Sequence, residues 1–282
     1  MFKNLMNKIK IPFLTYSRPK FIKMFSNITR PLDGKTAIVT ASTDGIGLAT
    51  AHKLACDGAS VMISSRRKHN VERALSILKK EYGDEKIQGV VCHVSNKDDR
   101  NNLIQETIKL FGGIDIFVSN AATNPTSGSI LDCDEEIWDK IFDVNVKSAF
   151  FLTKEIVPHM ISRGGGSIVY VSSIAGISPM PMLGVYSVSK TALLGLTKVI
   201  AADLAEKNIR VNCVAPGIVK TKFASILTEN ESLSKYILQT VPMKRFGKTD
   251  EIGSVISFLC SNASSFITGE VIVASGGMTS RL

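Results

Sequence analysis

The chain has 282 residues, with 34 Lys and Arg against 25 Asp and Glu, a formal charge of +9, and 44% hydrophobic residues. That apolar content excludes a disordered chain, and no run approaches the ~18 consecutive apolar residues of a transmembrane helix. Residues 1–32 hold seven bases and no acid, while the remainder carries 27 bases against 25 acids, so the charge describes a tail and argues against a nucleic-acid-binding body.

The basic extension, 1–32, is broken by Pro12, Pro19 and Pro31, and its apolar stretches are too short for a secretory signal. It reads either as a solvated tail or alternative-start extension, with Met24 a second start, or as a mitochondrial targeting segment. From Lys35 the pattern changes. Thr36–Thr40, Ser60–Ser64, Ile87–Val94, Ile114–Ser119, Ser167–Ser172, Ile209–Val214 and Glu270–Ala274 read as strands, several apolar almost throughout. Between them Val71, Ala74, Leu75, Leu78 and Tyr82 recur at helical spacing. So do Leu103, Ile104, Thr107, Ile108 and Phe111, and later Ile252, Val255, Ile256 and Leu259. Residues 33–282 are therefore expected to form one doubly wound α/β domain of the Rossmann type around a seven-stranded parallel sheet. Residues 191–205, apolar on nearly every face, predict a helix buried in the core or against another subunit. The five cysteines are scattered, the nearest two being Cys56 and Cys92, and with the four histidines they show no metal-ligand spacing.

The first strand runs into Thr40-Ala41-Ser42-Thr43-Asp44-Gly45-Ile46-Gly47, which opens a helix. Glycines there let the backbone approach a pyrophosphate while the free N–H groups of the helix start face the anion. The next strand ends in Ser64-Ser65-Arg66-Arg67-Lys68, without the acid that binds an NAD ribose. A guanidinium grips a 2′-phosphate through two parallel hydrogen bonds, so this end favours NADP.

Tyr186 and Lys190 lie four residues apart on one helix face, and an ammonium there favours the phenolate. Ser173 follows an apolar strand, at the carboxyl edge where ligands bind doubly wound sheets. With T-A-S-T-D-G-I-G (40–47), V-C-H-V (91–94), S-N-A-A (119–122), V-S-S-I-A (171–175), S-K-T-A-L-L-G-L-T-K (189–198) and N-I-R-V-N-C (208–213), the sequence from 33 onward resembles the short-chain dehydrogenase/reductase family. Within it the likeness is to a peroxisomal NADP-dependent carbonyl reductase and retinol dehydrogenase subgroup.

The resemblance implies a role for each matching residue. Tyr186 would give the proton to the carbonyl oxygen, Ser173 would polarise that oxygen, and Lys190 would lower the phenol's pKa and bind the nicotinamide ribose. Asn145 would kink a long helix and hold a water in a proton relay. Asn120 and Ala121 would pack beside NADP(H), His93 and Val94 would border the adenine, and Pro216, Gly217, Ile218 and Thr221 would hold the carboxamide and diphosphate. Three departures stand out: Ala41 in place of a glycine, which implies a conformation open to alanine; His93 in place of an adenine-binding aspartate; and Ser119 with Ala122 altering N-N-A-G.

Ile177, Met180, Met182, Leu183, Phe223, Ile226 and Leu227 would line an apolar pocket without an arginine for a carboxylate, which suits a lipophilic carbonyl or alcohol; residues 222–240 would close over it. The resemblance further implies a homotetramer formed through helices near 134–160 and 186–206. Ser280-Arg281-Leu282 resembles the tripeptide read by a peroxisomal import receptor. Two other functions remain open: a ketoacyl-thioester reductase, for which Lys147, Arg163 and Lys220 would meet an acidic carrier, and a non-catalytic NADP-binding scaffold.

Overall fold

Short apolar strands covered on both faces by amphipathic helices set the architecture. The computed structural model describes residues 30–280, without the side chain of Ile226. The readings made for most of the basic extension, and for Arg281 and Leu282 of the terminal tripeptide, lie outside the described residues. The strands are β1 (Thr36–Val39), β2 (Ser60–Ser65), β3 (Ile87–Val91), β4 (Ile116–Ser119), β5 (Gly166–Val171), β6 (Ile209–Pro216) and β7 (Val271–Ala274). They form one all-parallel sheet in the order β3-β2-β1-β4-β5-β6-β7.

Alternation along the strands divides the core into two layers. Val39, Val61, Ile63, Val118 and Val169 face α1 (Gly45–Cys56), α2 (Lys68–Tyr82) and α9 (Thr249–Cys260). Ile38, Met62, Phe117, Ile168 and Tyr170 face α3 (Lys97–Phe111), α5 (Ser148–Ser162) and α6 (Gly184–Leu204). Both faces of the five inner strands are thus buried almost throughout, which is why these segments read as continuous apolar runs, whereas the edge strands β3 and β7 are mostly half-buried. Glu135–Phe142 is α4, and Ser225–Glu229 and Glu231–Thr240 are α7 and α8.

The strand bounds agree with the sequence reading to within two residues except at β3. β3 stops at Val91 instead of Val94, because the Asp99 carboxylate of α3 captures the His93 N–H at 2.8 Å and turns the chain out of the sheet. Helix α6 buries one stripe, including Leu193, Thr197 and Leu204, and leaves Val199 63% exposed, so the described residues cover only part of this apolar helix. Among the described residues no helix is long and apolar enough to cross a membrane.

Candidate active site

In a sheet of this order the chain leaves β1 and β4 in opposite directions, and a crevice opens beyond their carboxyl ends. The turn 40–47 fills one side of it. Ala41 has φ +49° and Gly45 φ +56°. The Ala41 position is thus open to alanine but at a cost of ~1–2 kcal/mol, since it lies in the left-handed region, and the surrounding bonds hold it there. The Asn120 amide donates to the Thr40 and Ala41 carbonyls at 3.0 and 3.1 Å, and the Thr40 hydroxyl accepts from the backbone of Asn120 and Ala121. Asn120 therefore braces the turn, with its amide committed to the protein backbone. Ser42 is wholly buried; its hydroxyl donates to Val39 O and accepts from Ser64 N, joining β1 to β2. Its backbone N–H also donates to Ser64 O at 2.9 Å, so Ser42 holds the turn to the sheet from within.

At the start of α1, Asp44 caps the helix by accepting from Gly45 N, and the first turn contains no acid. The following N–H groups lack intrahelical acceptors. A side chain at Gly47 would run into the Ala41 carbonyl and the Asn120 amide, so backbone fills that space and no Cβ fits. Thr43 is buried and Ile46 half-buried beside this cradle. The turn can hold a diphosphate on its exposed amides.

The other expected cofactor positions lie around the same crevice. Ser65 ends β2 half-buried, and Arg66 and Arg67 follow it exposed. His93 is exposed and Val94 buried beyond β3. Pro216 ends β6, Gly217 N donates to Ala274 O at 2.9 Å, and Ile218 accepts from Gly247 N. A methyl on Gly45 would lie 3.3 Å from the Thr221 methyl, so this last loop faces the glycine turn directly.

Beyond β5 the chemistry-bearing groups converge. Ser173, whose hydroxyl accepts from Ala175 N at 3.1 Å, acts on the Tyr186 phenol to lower its pKa, and the Lys190 ammonium lies 5.6 Å from the Tyr186 ring centroid. Lys190 is 2% exposed, and its Nζ donates to Val171 O at 2.8 Å. Burial pushes the phenol up to about 12, against the lowering influence of the Ser173 hydroxyl, and pushes the lysine down to about 8. In the protein alone, desolvation of the phenolate thus outweighs the depression expected from a neighbouring ammonium.

Asn145 is 1% exposed in the middle of a π-helical turn, Asp143–Lys147, between α4 and α5. Its carbonyl oxygen accepts from Thr123 N at 2.7 Å; its amide donates to Thr123 O and to Ser189 Oγ at 3.1 and 3.0 Å. Ser189 in turn donates to Tyr186 O at 2.7 Å. The helix widens here so that one side chain ties the loop after β4 to the helix bearing Tyr186 and Lys190. Thr123 and Ser189 were missed from sequence; the three-residue step from Tyr186 to Ser189 was an available signal.

On the substrate side, Ile177, Met180 and Leu183 are half-buried, Met182 is exposed, and Phe223, 57% exposed, has its ring centroid 5.8 Å from that of Tyr186. The loop after β4 also borders this side, Gly128 pairing with Leu183.

A family model described as enoyl-(acyl carrier protein) reductase matches residues 40–279. Dehydrogenase/reductase SDR family member 4 of Bos taurus is 55% identical over 252 residues, 89% of this chain and 90% of that protein. The human protein of the same name is 51% identical over 259 residues, 91% and 92% of the two chains. Tropinone reductase-like 3 of Erythroxylum coca is 48% identical over 255 residues, 90% of this chain and 97% of that protein. A solved short-chain type dehydrogenase/reductase from Mycobacterium ulcerans superposes with a TM-score of 0.83 at 31% identity, covering 87% of this chain and 90% of its own. With this similarity running through the crevice and the groups around it, the chain belongs to the short-chain dehydrogenase/reductase family of nicotinamide-dependent oxidoreductases.

Proposed function

We propose that the protein is an NADP(H)-dependent carbonyl reductase for lipophilic ketones, aldehydes and dicarbonyls, retinal among them, which oxidises the matching alcohols in the reverse direction. The observation that carries this reading is the convergence of Ser173, Tyr186 and buried Lys190, its ammonium 5.6 Å from the Tyr186 ring centroid, at the sheet edge that also holds the glycine turn. A nicotinamide cofactor supplies the hydride. The remaining work falls to the chain. Tyr186, kept protonated by burial, gives its proton to the carbonyl oxygen; Ser173 donates to the same oxygen and orients it; Asn145 holds the Tyr186 helix against the loop after β4.

Arg66 and Arg67, exposed with no acid beside them at the end of β2, support the choice of NADP over NAD. The one carboxylate of the glycine turn, Asp44, is neutralised by Lys222 and Arg73 at 2.7 and 3.7 Å. Apolar side chains at 177, 180, 183 and 223 suit a lipophilic substrate, and residues 222–240 close over it as a lid. Exposed Val199 on α6 and Phe150 on α5 offer surface for a homotetramer. Ser280-Arg281-Leu282 is proposed as a peroxisomal address.

A ketoacyl-thioester reductase is the second reading, favoured by the description of the matching family model. Two of its three candidate carrier-binding cations are already paired, Lys147 with Asp143 and Arg163 with Asp115. A steady-state screen decides. Consumption of NADPH in preference to NADH with lipophilic carbonyls supports the carbonyl reductase. Turnover confined to a carrier-linked thioester supports the second reading, and cofactor binding without turnover supports a scaffold.

A further inference from the structure

Where the chain leaves the sheet after Thr221 it makes a 3-10 turn, Lys222–Ala224, before α7 and α8. This entry to the lid is held at two points. Phe223 lies against the Tyr186 ring, and the neighbouring Lys222 Nζ is 2.7 Å from Asp44 Oδ2, in the glycine turn. The Lys222 hydrogen bond is the largest cause holding the Asp44 carboxyl below the usual carboxylate range. From the other side Arg73 reaches the same carboxylate oxygen at 3.7 Å and donates to Thr43 O at 3.2 Å, so Asp44 is anchored at its own end. The Lys222 and Asp44 side chains are 78% and 48% exposed. Such a pair is weak enough to break and re-form during a catalytic cycle.

We infer that the Asp44–Lys222 ion pair is a strap that holds the lid to the glycine turn and retains the dinucleotide, making both residues positioning residues. The inference rests on the proposed reading of the crevice as a nicotinamide-dinucleotide site and of 222–240 as its lid. Its geometric basis is that the pair joins the two walls between which a diphosphate on the α1 turn would lie, Thr221 already facing Gly45. A strap makes a distinctive electrostatic statement. If the two charges acted separately on the cofactor's phosphates, removing the Asp44 charge would tighten binding and removing the Lys222 charge would loosen it. A strap requires both changes to loosen it, by the same factor.

The test is the rate at which NADPH leaves the full-length protein, followed by the loss of bound-cofactor fluorescence on chasing with excess NADP. Asp44→Asn keeps a good helix N-cap while removing the charge. That variant and Lys222→Gln are each expected to speed release roughly two- to five-fold, the range of an exposed ion pair. The double variant should be no faster than either single one, and Lys222→Arg should match the wild type. At about 1 M salt, where the screening length falls to ~3 Å, the differences should vanish. Backbone amides of 222–240 should exchange hydrogen faster in both single variants, a readout that a merely folded or unfolded chain would not give. Slower release from Asp44→Asn, or a double variant equal to the product of the singles, overturns the strap while leaving the cofactor site intact. A wild type that takes up neither NADPH nor NADH overturns the site reading and the strap together.

Discussion

The Lys190 ammonium donates a 2.8 Å hydrogen bond to the Val171 carbonyl, so the strand that ends beside the active site supplies the first partner of its lysine. That single neutral acceptor leaves a buried cation poorly compensated, and its pKa falls to about 8 from the ordinary 10.5. Below pH 8 the lysine is charged folded and unfolded, and the full burial penalty applies. Between pH 8 and 10.5 the folded protein gives up a proton that the unfolded chain keeps, so this group adds stability as the pH rises. Relative to Lys190→Met, the wild type should therefore gain about 2 to 3 kcal/mol between pH 7 and 10. The comparison cancels buried thiols that do not interact with the lysine, such as Cys92 and Cys260, whose raised pKa works in the opposite direction above pH 9. Urea denaturation of both proteins across that range measures it, and a constant difference would sink the account.

Tyr186 carries the complementary expectation. With the phenol pushed up to about 12, it is a standing proton donor at neutral pH and a scarce base. Carbonyl reduction should therefore not need alkaline conditions, whereas alcohol oxidation, which needs the phenolate, should be favoured as the pH rises. Tyr186→Phe should lower kcat for reduction by roughly 10²- to 10⁴-fold while cofactor affinity stays near that of the wild type. A fully active Phe variant would refute the assignment.

Arg66 should discriminate between the two nicotinamide cofactors. Losing a charge-assisted hydrogen bond costs about 1.5–3 kcal/mol, so Arg66→Ala should raise KM for NADPH by roughly 10- to 100-fold. NADH, with no 2′-phosphate, should be nearly unaffected. Equal losses with both cofactors would count against an NADP site at the end of β2.

Ala41 offers a test on stability alone. Its φ of +49° suits glycine better than alanine, and the position is solvent-exposed. Ala41→Gly should leave the fold unchanged and stabilise it by up to about 1 kcal/mol, the relieved strain exceeding the added freedom of the unfolded chain. Thermal unfolding reads this directly; a lowered midpoint would mean that alanine is not strained there.

Local patterns in the sequence foretold most of the scaffold. Strands such as Ile116–Ser119 and Gly166–Val171 are apolar on both faces because helices cover both, and Tyr186 and Lys190 show their common face by spacing alone. The glycine turn also announces itself, since strand, turn and helix follow in one short run. What escaped the sequence reading depends on residues remote along the chain. Asn145 meets Thr123 only after the π turn rotates it inward, and Asp44 meets Lys222 only once β6 lies on the far side of the crevice. Such polar pairs leave no periodic trace. The left-handed backbone at Ala41 was hidden for another reason: it is imposed by Asn120 and its neighbours, against the preference of alanine itself.

Strand β1 lies against β4, and their junction is sealed where the Asp115 carboxylate accepts the Thr36 N–H, 79 residues away in sequence. A nascent polypeptide that has delivered only its first three strands consequently possesses half a nucleotide crevice and nothing opposite it. Bringing so distant a partner into register carries a large loop-closure cost, so assembly of the centre should be among the slower steps of folding. Dinucleotide added during refolding should then leave the earliest kinetic phase untouched and act only on species in which both central strands are already side by side.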